Sequence, residues 1–89
     1  MHPKEIEQLI ENHLTDAKAY VDGDGTHFTA LVVSPHFANV SRLRKQQMVY
    51  EAVADYLLNG SLHALSIKAM TPDEWQALDI ATQNEQIGS

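Results

Sequence analysis

Apolar residues recur at two spacings along the chain, and the change of spacing marks the first predicted elements. Near the start they lie three or four positions apart, which is typical of an amphipathic helix from Pro3 to about Leu14. Shorter runs from Ala17 to Asp22 and from His27 to Val33 predict two strands. Because Asp22-Gly23-Asp24-Gly25 is a strong turn signal, we expect these strands to pair as an antiparallel hairpin.

The second half of the chain again alternates helix and strand. A helix is predicted from an N-cap at Ser41 to about Leu58, and a third strand from Leu62 to Ala69. Thr71, followed by Pro72 and Glu74, is typical of a capping box that starts a last helix. The buried stripe of the second helix is predicted to comprise Leu43, Tyr50, Val53, Ala54 and Leu57.

The element order α-β-β-α-β-α predicts an α+β fold in a single small domain covering residues 1–78. A strand, a helix and another strand usually form a parallel crossover, so strand 3 should lie parallel to strand 2. The result is a three-stranded mixed sheet of order 1-2-3, with helices 1 and 2 on one face. Residues 79–89 are predicted to be a frayed tail.

Composition narrows the classes of function. The chain has 89 residues, a net charge of −6 and no cysteine. A net negative charge repels nucleic acid and anionic membranes, and no apolar run is long enough to span a bilayer. The start of the chain has no signal-peptide pattern, so we expect a cytoplasmic protein without a membrane partner.

Two of the five histidines are candidate metal ligands. His63 has the same strand parity as Leu65 and Ile67 and is either a half-buried residue at the edge of the core or a ligand. His27 follows the glycine-rich turn and is either an exposed residue on a flexible hairpin tip or a second ligand. Spacing along the chain does not show whether the two meet. His13 and His36 are predicted to be ordinary surface residues.

The basic residues are concentrated in one short segment. Arg42, Arg44 and Lys45 fall within four positions at the start of the second helix, where positive charge opposes the helix dipole. This segment is either a solvated charged face or, together with Lys68 on strand 3, a surface for an anionic partner. The chain has neither an HExxH motif nor an arrangement of nucleophile, base and oxyanion donors, so we do not expect an enzyme.

Several short motifs, in order, resemble one known family. They are Gly23-Asp24-Gly25-Thr26-His27-Phe28, Val32-Val33-Ser34, the segment from Phe37 to Arg42, Lys45-Gln46-Gln47-Met48-Val49-Tyr50, His63-Ala64-Leu65-Ser66-Ile67-Lys68 and Thr71-Pro72-Asp73-Glu74-Trp75. Together they resemble the BolA-like proteins, and among these the bacterial IbaG branch most. The resemblance covers Ile6 to Trp75.

The resemblance implies a fold like a class II KH domain and a function in iron-sulfur chemistry. BolA-like proteins pair with monothiol (CGFS) glutaredoxins as heterodimers that share a 2Fe-2S cluster, for cluster holding, sensing or transfer. The glutaredoxin cysteine and glutathione provide thiolates, and the BolA-like partner provides histidine. Carried over, His63 matches the C-terminal ligand of the family and His27 the ligand in the hairpin loop. The isolated protein should hold no cluster and should be a monomer or weak homodimer.

The same resemblance implies an alternative function, because some relatives are described as DNA-binding regulators of the stress response. That function would use the second helix and the loop before it. This chain departs from the family in having Asn39 where glycine is frequent, although asparagine tolerates left-handed backbone. It also has Lys45-Gln46-Gln47 in place of an Arg-His-Arg sequence, which removes charge. We therefore expect DNA binding to be weak and sensitive to salt.

Overall fold

The computed structural model describes residues 1–24 and 27–78, which form the predicted order of elements. The elements are α1 (Pro3–His13), β1 (Lys18–Gly23), β2 (His27–Val33), a 3-10 turn (Pro35–Phe37), α2 (Arg42–Leu58), β3 (Ala64–Met70) and the helical residues 72–78, here called α3. The predicted fraying of residues 79–89 lies outside the described part of the chain. Within that part, no helix is long and apolar enough to cross a membrane.

The three strands form one mixed sheet in the order β1-β2-β3. Strands β1 and β2 are antiparallel, and β2 and β3 are parallel, which confirms the predicted crossover. Strand β3 begins two residues later than predicted. The reason is that the backbone N–H of Leu62 donates to the Tyr56 carbonyl at 3.0 Å, so Leu62 belongs to the connection that follows α2.

The hydrophobic core lies between the sheet and the first two helices, as predicted. Ile6 and Ile10 of α1 are fully buried there, together with Val49 and Val53 of α2. The sheet contributes alternate residues from its three strands, namely Ala19, Phe28, Ala30, Val32, Leu65 and Ile67. Helix α3 contacts the opposite face, where the Trp75 ring stacks on Tyr20 with a centroid separation of 5.7 Å.

The predicted buried stripe of α2 is wrong in part. Leu43 is 69% exposed and Tyr50 is 37% exposed, whereas Val49 and Val53 are fully buried. Helix α2 carries two neighbouring apolar stripes, and the smaller β-branched side chains face the sheet. The rotation of α2 about its axis, which decides which side chains face the sheet, also has a polar cause. The Tyr50 hydroxyl donates to the Leu65 carbonyl at 2.9 Å, and this requires the Tyr50 ring to lie at the side of the helix.

Carboxylates of α1 cover the outer edge of β1. Glu11 Oε2 accepts from the Ala19 N–H at 3.0 Å, and Glu7 Oε2 accepts from the Val21 N–H at 2.9 Å. The two glutamates are four residues apart and therefore lie on one side of the helix. An exposed strand edge is a template for pairing with other chains, and here side chains occupy two of its donors.

Candidate functional site

The two predicted ligand histidines lie at the same end of the sheet. His27 is the first residue of β2 and is in register with Ala64, the residue after His63. Because β2 and β3 are parallel, both begin at this end, and neighbouring strands lie only about 4.8 Å apart. Both histidines are exposed. The crossover thus places two histidines that are far apart in sequence at the same end of the sheet.

Local hydrogen bonds position His27 at the start of its strand. Its backbone N–H donates to Asp24 Oδ1 at 2.9 Å, and the Asp24 N–H donates to the His27 carbonyl at 3.3 Å. His27 is therefore a strand residue tied to the hairpin turn. His63 directly precedes β3 and follows the fully buried Leu62, which anchors it.

The donors at this end of the sheet fit one half of a shared iron-sulfur cluster. Among the described residues no group of three or more histidines and carboxylates could hold a metal ion, and the sequence has no cysteine. Two exposed imidazoles are nevertheless the pair that replaces two thiolates on one iron of a Rieske centre. His27 and His63 would hold that iron, and thiolates from other molecules would have to complete the cluster.

His13 and His36 lie on the surface, as predicted, and each faces a carboxylate. His36 Nε2 is 3.5 Å from Asp16 Oδ2, and His13 Nε2 is 3.7 Å from Glu51 Oε2. The first pair connects the 3-10 turn to the segment between α1 and β1, and the second connects α1 to α2. His36 is therefore a suitable control for substitutions of the candidate ligands.

Three of the four predicted basic residues line one cavity, and the fourth does not. Arg42 and Lys45 of α2 meet Lys68 of β3 around a cavity of about 240 Å³. Arg44 instead directs its Nη1 to Glu51 Oε1 at 3.3 Å. Residues two apart on a helix do not share a face, which separates Arg44 from Arg42.

Sequence reasoning missed two other polar residues of this cavity, Gln46 and Glu74. Gln46 follows Arg42 by four positions and shares its helix face, so the spacing could have identified it. Glu74 belongs to the capping box of α3, in which its carboxylate accepts from the Thr71 N–H at 3.0 Å. No sequence signal placed that box beside the basic residues of α2.

Hydrogen bonds from Thr71 hold the pKa of the exposed Glu74 carboxyl below its ordinary value of 4.5, first through the backbone N–H and then through the hydroxyl. The charge of Lys45 acts in the same direction. Because the pKa of Glu74 is lowered in the folded state, its ionised carboxylate stabilises α3 at pH values above the unfolded-state pKa. This stabilisation is lost as the pH falls through the folded-state pKa.

We expect Thr71→Ala to raise the pKa of Glu74 in an NMR titration of its carboxyl carbon, and Lys45→Ala to raise it less. Thr71→Ala removes the hydroxyl but keeps the backbone N–H, so an unchanged pKa would contradict the part of this account that rests on the hydroxyl.

A family model described as BolA-like protein matches residues 2–74, which is most of the chain. The chain belongs to the BolA-like family. Among its curated BolA-like relatives, the acid stress protein IbaG of Escherichia coli K12 is 41% identical over 75 residues, covering 84% of this chain and 89% of IbaG. The DNA-binding transcriptional regulator BolA of Haemophilus influenzae is 34% identical over 77 residues, covering 86% of this chain and 66% of that protein.

A solved structure gives the same result for the fold of this BolA-like domain. The BolA protein homologue of Coxiella burnetii superimposes with a TM-score of 0.77 at 35% identity, covering 85% of this chain and 97% of that one. The resemblance stated from the motifs, including the IbaG branch, is therefore confirmed.

Proposed function

We propose that this BolA-like protein is an iron-sulfur adaptor that pairs with a monothiol glutaredoxin and shares a 2Fe-2S cluster with it. The observation that carries the proposal is the placement of His27 and His63 at the start of two adjacent parallel strands. The β1–β2 hairpin and the start of β3 each provide one of these histidines, so neither of them alone offers two imidazole ligands. The family resemblance supports the same partner class.

The donor set defines what the protein would contribute. Its two imidazoles would bind one iron, and the glutaredoxin cysteine and glutathione would supply thiolates to the other ligand positions. When bound, the cluster would supply one-electron redox chemistry and iron-sulfur cargo. Neutral imidazole in place of thiolate makes the cluster less negative, and this changes its absorption and its potential. The exposure of both histidines leaves room for a partner to reach the same iron.

The proposal also assigns a non-catalytic role. The histidines lie at an open end of the sheet, where they can bind a shared cluster without enclosing a substrate. We propose a cytoplasmic protein that holds, senses or transfers the cluster and that is a monomer or weak homodimer when free. The isolated protein would hold no cluster because it has no thiolate.

Reconstitution with a monothiol glutaredoxin, glutathione, iron and sulfide tests the proposal. We expect a coloured heterodimer whose visible absorption and circular dichroism differ from those of the glutaredoxin homodimer. His63→Ala should abolish the difference, and His27→Ala should reduce it less, because glutathione or solvent can occupy that position. His36→Ala is the matched control, since this histidine is also exposed but pairs with Asp16, and it should leave the spectrum unchanged.

Two outcomes would contradict this function. One is a mixed cluster whose spectrum is the same with and without His63, in a variant whose far-ultraviolet circular dichroism shows an intact fold. The other is a stable cluster assembled by the protein alone, since that would require ligands other than the two histidines and a partner's thiolates.

DNA binding is the second candidate function, favoured by the name of the Haemophilus influenzae relative and by the basic cavity beside α2. The net charge of −6 opposes it, and Arg44 is engaged with Glu51. Binding would be weak because only a few phosphates could be contacted, and it would be sensitive to salt because each of those contacts releases counterions. Comparing the affinities of an oligonucleotide and an acidic peptide distinguishes this function from peptide binding at the same cavity.

A further inference from the structure

The outer edge of β3 is covered at two levels by side chains of α2. Tyr50 Oη donates to the Leu65 carbonyl at 2.9 Å, and Gln46 Nε2 donates to the Ile67 carbonyl at 2.8 Å. These bonds show that the backbone groups of residues 65 and 67 point away from β2. Because backbone groups alternate in direction along a strand, those of Ala69 point outward as well.

The side chains of α2 that cover this edge are regularly spaced along the helix. Four residues of α2 rise about 6 Å, and two residues of β3 advance about 6.6 Å, so each turn of the helix reaches the next outward residue of the strand. After Tyr50 and Gln46, the next residue in the series is Arg42. Arg42 and Ala69 do line the same cavity. At Ala69, the third outward-facing residue of β3, the corresponding residue of α2 is therefore the cation Arg42.

The charges around this level favour an anionic occupant. Arg42, Lys45 and Lys68 are half of the six lysines and arginines of the chain, and all three line this one cavity. Among the described residues that line the cavity, Glu74 is the single carboxylate, and the Thr71 cap engages it. Three cations thus face one carboxylate beside outward-facing backbone groups of a strand.

We propose that this cavity binds an acidic, extended peptide segment of a partner protein. The segment would pair its backbone with Ala69 at the edge of β3 and place carboxylates near Arg42, Lys45 and Lys68. Pairing with a strand edge supplies main-chain hydrogen bonds, and the cations supply specificity. A short peptide suits this chain better than nucleic acid does, because a long polyanion also meets the repulsion of the net charge.

The peptide site is separate from the histidine end of the sheet. Five residue steps along β3 separate Ala64, which directly follows His63, from Ala69, which is about 17 Å. The peptide proposal therefore does not depend on the iron-sulfur function, and either can fail without the other.

Fluorescence anisotropy with a labelled peptide of alternating glutamate and valine tests the site. We expect Arg42→Glu and Lys68→Glu each to weaken binding about tenfold. Arg44→Glu is the matched control, because it makes the same charge change in the same turns of α2 but lies outside the cavity, and it should change the affinity by less than about twofold. Glu74→Gln removes the opposing carboxylate and should strengthen binding. A negative residue at the start of α2 suits the helix dipole, so Arg42→Glu should remain folded.

Two further probes test the backbone pairing and the ligand class. The same peptide with N-methyl groups on alternate residues should bind at least about fivefold more weakly, since it loses hydrogen bonds to the strand. NMR perturbations should centre on the amides of Ile67 and Ala69. Equal weakening by Arg42→Glu and Arg44→Glu would overturn the site. Tighter binding of a single-stranded thymidine oligonucleotide at physiological salt would overturn the peptide assignment and favour nucleic acid.

Discussion

Replacement of Phe37 by alanine is expected to lower the free energy of unfolding by about 3–5 kcal/mol. Phe37 is 1% exposed and lies in the 3-10 turn that leads from β2 towards α2. Its ring packs in the core between the sheet and the helices. Truncation removes that apolar contact and leaves a cavity that the surrounding backbone can fill only in part. Urea denaturation followed by circular dichroism measures the change.

Leu43 provides the control for this prediction. It is also a large apolar residue, yet it is 69% exposed, so Leu43→Ala should change the unfolding free energy by less than about 0.5 kcal/mol. If Phe37→Ala fails to fold, Phe37→Leu should still show a loss of about 1–2 kcal/mol, because most of the volume is kept. Equal losses of unfolding free energy in Leu43→Ala and the Phe37 variants would mean that the side of α2 that carries Leu43 faces the core.

Removal of both carboxylates that cover β1 is expected to have the second-largest effect. In Glu7→Ala/Glu11→Ala, the N–H groups of Ala19 and Val21 lose their acceptors while remaining partly buried. An unsatisfied buried group costs about 1–3 kcal/mol, so the pair should cost about 2–4 kcal/mol after partial replacement by water. Thermal or urea unfolding measures this loss.

The neutral isostere separates hydrogen bonding from charge. Glu7→Gln/Glu11→Gln keeps an acceptor at each position and should retain about half of the stabilisation, because hydrogen bonds to an ionised acceptor are about twice as strong. Gln8→Ala, an exposed change on the same helix, is the control and should be nearly neutral. The alanine pair should also associate more in sedimentation, since its strand edge is open. Stability equal to that of the parent protein would contradict the edge-covering role.

Local signals in the sequence predicted the starts of α2 and α3 well. Ser41 caps α2 through its hydroxyl, and Thr71 and Glu74 form the predicted capping box. Asn39 has the expected left-handed backbone, with φ of 62°. These features depend on residues close in sequence, so a short segment of the sequence contains both partners of each interaction.

Features that depend on packing were harder to predict. Which side of α2 faces the sheet depends in part on the carbonyls of β3 that accept from Tyr50 and Gln46, and no spacing within the helix encodes them. In the candidate sites, the sequence predicted which histidines could act as ligands, but only the pairing of β2 with β3 showed that His27 and His63 lie at the same end of the sheet. Helix periodicity could have separated Arg44 from Arg42, since residues two apart face different directions.

The stacking of Trp75 on Tyr20 provides the protein with an internal optical reporter. Trp75 is the one tryptophan of the chain, and its ring connects α3 to the face of the sheet that α1 and α2 leave uncovered. Its emission therefore responds to detachment of α3, whereas far-ultraviolet circular dichroism follows the whole fold. Local opening of α3 can be distinguished from global unfolding by comparing the two signals in one titration, without an added dye.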